Sequence, residues 1–582
     1  MSVATLENNI IRLKCHYLQK DIAKTIPGYK WNPEAKCWEY PIQPEVYLQL
    51  KHFPDIKIDE RIKAAVQEVQ ETLREVKGIK DSTGLINPVE PMPITIKPYR
   101  HQIIGYNIAM KLKHSALFME QGCGKTLTAI AVMGRRFLRG EINRVLIVSP
   151  ASVMPVWLLE INRYADFSNQ TYIPEGSLEQ RERFFWEHRG DNGKLQVAIV
   201  NYEAVWRFIP YNRDAHRWHI DKSVFTKMWN PDMIICDESQ RIKSPGALQS
   251  KGLHRLGMLA KYRMLLTGTP VTNNPLDIFS QYKFLEPSIF GPTYTSFKNR
   301  YAIAVPIVRR KTPGSKEGQI IIGYKNLDEL IKKAHSIAYR VTKEEALDLP
   351  DFVDQELYCQ LEKKAQLQYN EMKRESILQL SEEEFITAAN ILTKLLRLSQ
   401  ITGGYMKDES ERSVCISNAK MQLLEEVVDD LIGAGKKAVI FVRFIPEIRA
   451  IRKMLEKQNI DYAWIAGEVK DRAEQVERFQ EDENCKIFIA QIQTAGLGIT
   501  LTAADTAIFY SLSYSYADYD QARARIHRIG QKNKCTYIHL IAQDTVDEKV
   551  LTALKQKKSI ADEIVDNWKM YFREDDTNGN NL

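Results

Sequence analysis

Gly122-Cys123-Gly124-Lys125-Thr126 follows an apolar run at 116–119 and precedes a helical pattern over 127–137. Glycines at positions 122 and 124 let backbone N–H groups close on phosphate oxygens, and the helix N-terminus adds positive potential. In such a loop Lys125 reaches the β- and γ-phosphates of ATP and Thr126 ligates Mg²⁺. One position departs from G-x-x-x-x-G-K-[ST]: Met119 stands where the first glycine belongs. Asp237-Glu238 closes a second apolar run, Met233-Ile234-Ile235-Cys236. Two acids after a strand also make an ordinary surface turn. Paired with a phosphate loop, they read as a hydrolytic pair, with Asp237 holding Mg²⁺ and Glu238 orienting and deprotonating the attacking water. Arg525 and Arg528 stand at i and i+3, the spacing of one helix face. Two guanidiniums there suit a transferring γ-phosphoryl group, as arginine fingers supplied by an opposite lobe.

Positioning these groups takes more than one core. A chain of 582 residues is long enough for roughly three to four domains. Short apolar runs at 145–148, 197–200, 233–236 and 264–266 are aliphatic on both faces, as buried parallel strands are. A second series follows at 438–442, 487–490, 507–510 and 537–541. The expected fold is α/β: two parallel-sheet lobes in tandem, a small N-terminal α+β module, and helical and hairpin insertions between the lobes. The expected division is an N-terminal module at 1–57 and a linker helix and boundary at 58–94. An ATP-binding lobe follows at 95–345, a C-terminal lobe at 346–565, and a disordered tail at 566–582. Ile62, Val66, Val69, Leu73 and Val76 form one helical stripe, read as a linker helix packed on its neighbour rather than a coiled coil. Arg309-Arg310-Lys311 before Pro313-Gly314 reads equally as a phosphate-touching hairpin tip or a solvated loop.

Lys plus Arg total 81 against 74 for Asp plus Glu, a net +7 that permits a nucleic-acid partner without demanding one. The eight cysteines include no C-x-x-C pair, which argues against zinc and for buried, reduced thiols. The start, MSVATLENNI, lacks a signal peptide's basic and apolar regions. No apolar run reaches the ~18 residues of a membrane span. The expectation is therefore a cytoplasmic or nucleoid-associated monomer, not secreted, with no membrane partner.

These residues resemble the Swi/Snf type of superfamily 2 helicase-like ATPases over about 95–555, whose two lobes are RecA-like. Pro98-Tyr99-Arg100-His101-Gln102 resembles the family's adenine-reading segment, which implies nucleotide contacts for Tyr99, Arg100 and Gln102. Residues 120–126 are similar to D-E-M-G-L-G-K-T, a family pattern that also lacks glycine at the Met119 position. Ser149-Pro150 and Asn201-Tyr202-Glu203 resemble strand-end segments that touch the DNA backbone. Asp237-Glu238-Ser239-Gln240 stands where the family has D-E-A-H or D-E-S-H, with Gln240 departing from the histidine. Leu266-Thr267-Gly268-Thr269-Pro270 with Asn273 resembles the segment coupling hydrolysis to motion, and Thr267 is carried over as a DNA contact. The stretch 494–505 is similar to G-L-G-I-N-L-T-A-A-D, implying DNA contact for Thr494 and nucleotide contact for Gly498. Gln521-Ala522-Arg523-Ala524-Arg525-Ile526-His527-Arg528-Ile529-Gly530-Gln531 matches Q-A-x-x-R-x-H-R-I-G-Q, which adds Gln521 to the nucleotide contacts.

Residues 26–41 (IPGYKWNPEAKCWEYP) resemble the HARP-type module of annealing helicases. Trp31 and Trp38, interleaved with Lys30 and Lys36, could stack on unpaired bases; equally, they could form the core of a small hairpin. The resemblance implies an ATP- and Mg²⁺-dependent motor on double-stranded or forked DNA that remodels or anneals it or displaces a DNA-bound protein. A strand-separating helicase and a nucleotide-gated clamp with little turnover are the alternatives. The lack of chromatin-reading modules suggests a minimal motor of prokaryotic or viral type.

Overall fold

The computed structural model describes residues 2–555 except 8–9, 191, 210, 213–216, 219–222, 272–273, 307–318, 347–349, 383–395, 408–411, 468, 470, 494–498, 513–514, 529 and 553. The chain forms two compact units, with the main junction between Thr342 and Lys343.

The first unit opens on a five-stranded mixed sheet. Its strands are β1 (Ser2–Glu7), β2 (Ile10–Lys14), β3 (Lys30–Asn32), β4 (Cys37–Tyr40) and β5 (Ile56–Ile58), in the order β3-β4-β2-β1-β5. Ala4, Ile11, Leu13, Trp38 and Tyr40 of the sheet pack against Val46, Leu50 and Phe53. Ile62 and Val66 from the helix Glu60–Asp81 close this core. That helix is capped by Asp59, whose carboxylate accepts from the Arg61 N–H at 3.0 Å. Its other end is tied to the following lobe by a Glu75–Lys111 ion pair at 2.7 Å. Ile62, Val66 and Val76 of the apolar stripe are buried.

The lobe that follows is built on a seven-stranded parallel sheet. Its strands are β6 (His114–Met119), β7 (Arg144–Ser149), β8 (Asn169–Tyr172), β9 (Leu195–Asn201), β12 (Met233–Asp237), β13 (Tyr262–Leu266) and β16 (Ala338–Val341). They run in the order β16-β6-β13-β12-β7-β9-β8. Two short ladders, β10 with β11 (Tyr211–Asn212, Arg217–Trp218) and β14 with β15 (Ala302–Pro306, Gln319–Tyr324), lie outside it. The hairpin whose tip drew attention in the sequence thus has observed flanks, while 309–314 lie outside the described residues.

The second unit carries a six-stranded parallel sheet, ordered β17-β24-β23-β20-β22-β21. Its strands are β17 (Phe352–Cys359), β20 (Ala438–Val442), β21 (Tyr462–Ile465), β22 (Ile487–Gln491), β23 (Thr506–Phe509) and β24 (Cys535–Ala542). A small ladder, β18 with β19 (Tyr405–Lys407, Ser413–Cys415), precedes β20. Helices 419–433 and 445–457 bury Leu424, Val428, Ile448 and Ile451 against the sheet. The expected pair of parallel-sheet lobes and the small N-terminal sheet-and-helix module are both present. The tail at 566–582 lies outside the described residues.

All eight cysteines are free thiols, but they are not uniformly buried: Cys415 is exposed at the ladder edge. No helix among the described residues is long and apolar enough to cross a membrane.

Candidate nucleotide site

The phosphate loop leaves the end of β6 and enters the helix Lys125–Leu138. Gly122 and Gly124 sit at φ 89° and 78°, in the left-handed region that favours glycine. A Cβ on Gly124 would also lie 2.0 Å from the Gln102 side-chain nitrogen. Lys125 is buried and donates to the carbonyls of Met119 at 2.9 Å and Glu120 at 3.2 Å. Its ammonium thus curls back over the mouth of the loop. Thr126 follows, half-buried, in the first turn.

β12 delivers Asp237 and Glu238 to the same end of the sheet, because β6, β13 and β12 are parallel neighbours. Glu238 adopts φ 53°, ψ 53°. For a residue with a Cβ this costs of order 1–3 kcal/mol and is characteristic of functional turns. The Asp237 carboxylate accepts the Glu238 N–H at 3.0 Å and the Trp157 indole N–H at 2.8 Å. Burial, with Glu238's charge adding, pushes the Asp237 carboxyl above its ordinary value; the Trp157 hydrogen bond and Lys125's charge oppose the rise. A buried carboxylate whose charge is costly in this environment suits a divalent cation, so Asp237 fits a Mg²⁺ ligand.

A chain of side chains continues from Glu238. Gln240 donates through Nε2 to the Glu238 carboxylate at 2.8 Å and accepts through Oε1 from the Thr267 hydroxyl at 2.7 Å. Thr267 Oγ1 in turn accepts the Thr269 N–H at 3.0 Å. In parallel, Ser239 donates to Gln281 at 2.7 Å, and Gln281 donates to the Pro270 carbonyl at 2.6 Å. The segment 267–270 is therefore tied twice to 238–240. Gln240 performs both halves of this link, because an amide carries donor and acceptor together. Neither Gln281 nor Trp157 was singled out in the sequence. Each lies on a helix away from the motifs, and only a buried polar partner marks it.

Several residues expected at DNA or nucleotide have partners within the protein. Ser149, Tyr202 and Thr267 are fully buried. Their hydroxyls donate to the Pro150 carbonyl, the Asp237 carbonyl and Gln240 respectively. They brace the strand ends through these intramolecular partners. Asn201 caps the short helix Tyr202–Val205, accepting the Ala204 N–H at 3.0 Å. Arg100, expected at the nucleotide, donates to the Ser82 and Gly84 carbonyls of the linker. Tyr99 is about half exposed and stacks on His101, and the buried Gln102 accepts the Tyr99 N–H at 2.8 Å.

In the second lobe the helix carrying Gln521 ends at Arg523, so Arg525 and Arg528 stand on the turn beyond it rather than on a helix face. The turn still brings them together: both donate to the Ile499 carbonyl, at 3.4 and 3.3 Å. Gln521 is half-buried in the helix. Gln531 pins the turn, donating to the Ala504 carbonyl at 2.8 Å and accepting the Lys532 and Asn533 N–H groups at 2.9 Å. Arg523 lies over the Tyr537 ring at 4.0 Å and the Phe352 ring at 4.8 Å, in a structural aromatic box. Thr494, Gly498 and Asn273 lie outside the described residues.

In the N-terminal sheet the two tryptophans separate. Trp38 is 9% exposed and packs in the core of the module. Trp31 is 47% exposed and leans edge-on against Trp38 at 4.9 Å. Gly28, at φ 77°, makes the turn before β3; a Cβ there would meet Pro41 at 2.8 Å.

A phosphate loop and an acidic pair on one parallel sheet, followed by a second parallel-sheet lobe with paired arginines, define a helicase-like ATPase. The chain belongs to the SNF2-related family: the SNF2-related domain model matches residues 99–404, and the helicase conserved C-terminal domain matches 419–530. A Xenopus tropicalis SWI/SNF-related regulator of chromatin (subfamily A containing DEAD/H box 1) is 24% identical over 81% of this chain and 51% of its own length. An uncharacterized ATP-dependent helicase of Mycoplasma pneumoniae is 25% identical over 76% of this chain and 39% of its own. A RAD54-like DNA repair and recombination protein of Drosophila ananassae is 24% identical over 77% and 59%. The chain thus spans roughly half the length of these relatives. The Sulfolobus solfataricus SWI2/SNF2 ATPase core in complex with dsDNA is 24% identical, covering 84% of this chain and 97% of that one, with a TM-score of 0.39.

Proposed function

We propose that this chain is an ATP-dependent translocase on double-stranded DNA that remodels or anneals branched DNA or displaces proteins bound to it. The observation carrying this reading is the buried chain Glu238–Gln240–Thr267, which links the hydrolytic acid to the coupling segment. Membership of the SNF2-related family supports it. In this reading Lys125 moves from its carbonyl partners to the β- and γ-phosphates of ATP. Thr126 and Asp237 would hold Mg²⁺, which when bound neutralises phosphate charge. Glu238 orients the attacking water and accepts its proton, and Gln240 keeps the Glu238 carboxylate aimed. Arg525 and Arg528 exchange the Ile499 carbonyl for the γ-phosphoryl oxygens, where charge develops. The module at 1–57 serves as a HARP-like reader of forks; the exposed Trp31, backed by Trp38 and flanked by Lys30, supports that role.

The deciding experiment measures steady-state ATP turnover with duplex, forked and single-stranded DNA and with RNA, at one salt concentration. Stimulation by duplex, more by forks, without strand displacement is expected. Turnover indifferent to every nucleic acid would leave a nucleotide-gated clamp, and release of a labelled strand would make the chain a strand-separating helicase.

A further inference from the structure

We infer that Trp157 is a positioning residue for the metal-binding carboxylate of Asp237; this rests on the reading of Asp237 as an Mg²⁺ ligand. Trp157 lies on the helix Met154–Tyr164, which follows β7. Its ring is 1% exposed, and its indole N–H donates to Asp237 Oδ2 at 2.8 Å. The other oxygen, Oδ1, accepts the Glu238 N–H at 3.0 Å. Each carboxylate oxygen thus holds one donor and keeps a second lone pair for a cation. The indole has a single proton, fixed in the ring plane, and does not titrate. It therefore sets the plane of the carboxylate without competing for the metal.

The main chain of Asp237 is held as well. Tyr202, fully buried at the end of β9, donates its hydroxyl to the Asp237 carbonyl at 2.7 Å. In the sheet order β12 lies beside β7, with β9 beyond. The side chain and the backbone of the metal ligand are thus each clamped by the element following a strand on the same side. Partners that orient metal ligands in this way typically contribute 10–100-fold to metal affinity.

The test uses the full chain with ADP and Mn²⁺ as the probe, bound metal being read by electron paramagnetic resonance. Trp157→Phe keeps an aromatic ring and removes the donor. Its Mn²⁺ affinity should fall about tenfold or more, with ADP affinity in EDTA unchanged. Mn²⁺ affinity equal to wild type would overturn the positioning role alone. A wild-type chain that binds no Mn²⁺ with ADP would overturn the metal-site reading beneath it. If the variant does not fold, ¹⁵N-indole spectra of wild type and Asp237→Asn decide. One of the nine tryptophan signals should move both on Asp237→Asn and on adding Mg²⁺ to the ADP-bound wild type. An indole spectrum unmoved by both would overturn the inference.

Discussion

The carboxylates of the first lobe and the arginines of the second are held in opposite ways. Asp237 and Glu238 take side-chain donors from Trp157 and Gln240, each at 2.8 Å, inside a buried network. Arg525 and Arg528 meet a backbone carbonyl at 3.4 and 3.3 Å, distances at the weak end for N–H···O. In the proposed roles, a general base and a metal ligand must be aimed before the nucleotide arrives, and a buried carboxylate without donors is costly. A guanidinium is charged at any working pH and can trade one oxygen acceptor for a better one. The first-lobe carboxylates are thus aimed by side-chain donors, whereas the second-lobe arginines converge on one backbone carbonyl.

The sharpest way to break this contrast is to remove the first lobe's charge. Lys125→Ala should abolish ATP turnover in a steady-state assay, and Glu238→Gln should retain nucleotide binding while hydrolysis stops. Wild-type turnover by Glu238→Gln would refute the assignment of the base. On the other side, Arg525→Ala and Arg528→Ala should each cut turnover by about 10³ while nucleotide affinity changes only a few-fold. Lost binding with normal hydrolysis at saturation would mean that these arginines act in ground-state recognition instead.

The N-terminal module offers the same contrast between a buried and an exposed residue. Trp38→Ala should destabilise the module by about 3–5 kcal/mol, as aromatic-to-alanine changes in cores do. Trp31→Ala should leave the melting temperature nearly unchanged and remove the extra response of turnover to forks. Deleting 1–55 should abolish that fork response and spare duplex stimulation; equal fork preference in both proteins would make Trp31 packing alone. The smallest effect belongs to Thr267→Val, which leaves buried groups of Gln240 and Thr269 short of a partner. It should cost about 1–3 kcal/mol, read as a lower melting temperature, and weaken the coupling of turnover to DNA.

The proposed nucleotide site was nameable from the sequence because its residues are local. Gly122, Gly124, Lys125 and Thr126 are contiguous, and Asp237 and Glu238 directly follow an apolar strand run. The strands found were those with uninterrupted aliphatic runs. β8, β16, β17 and β21 carry polar residues such as Asn169, Arg340, Asp354 and Tyr462, and their places follow from pairing with neighbours. The burial of Ser149, Tyr202 and Thr267 was hidden for the same reason: a hydroxyl after a strand looks exposed until the donors and acceptors around it are known.

The sequence by itself determined the class of chemistry and the two-lobed α/β plan, since phosphate loops, acid pairs and strand periodicity are encoded within a few residues. Tertiary structure decided which polar groups face solvent and which hold others in place. It put Tyr202 and Thr267 under the surface, separated Trp31 from Trp38, and brought Arg525 and Arg528 to one carbonyl without a helix. Burial and hydrogen-bond partnership are properties of segments far apart in the chain, and spacing along a single segment does not carry them.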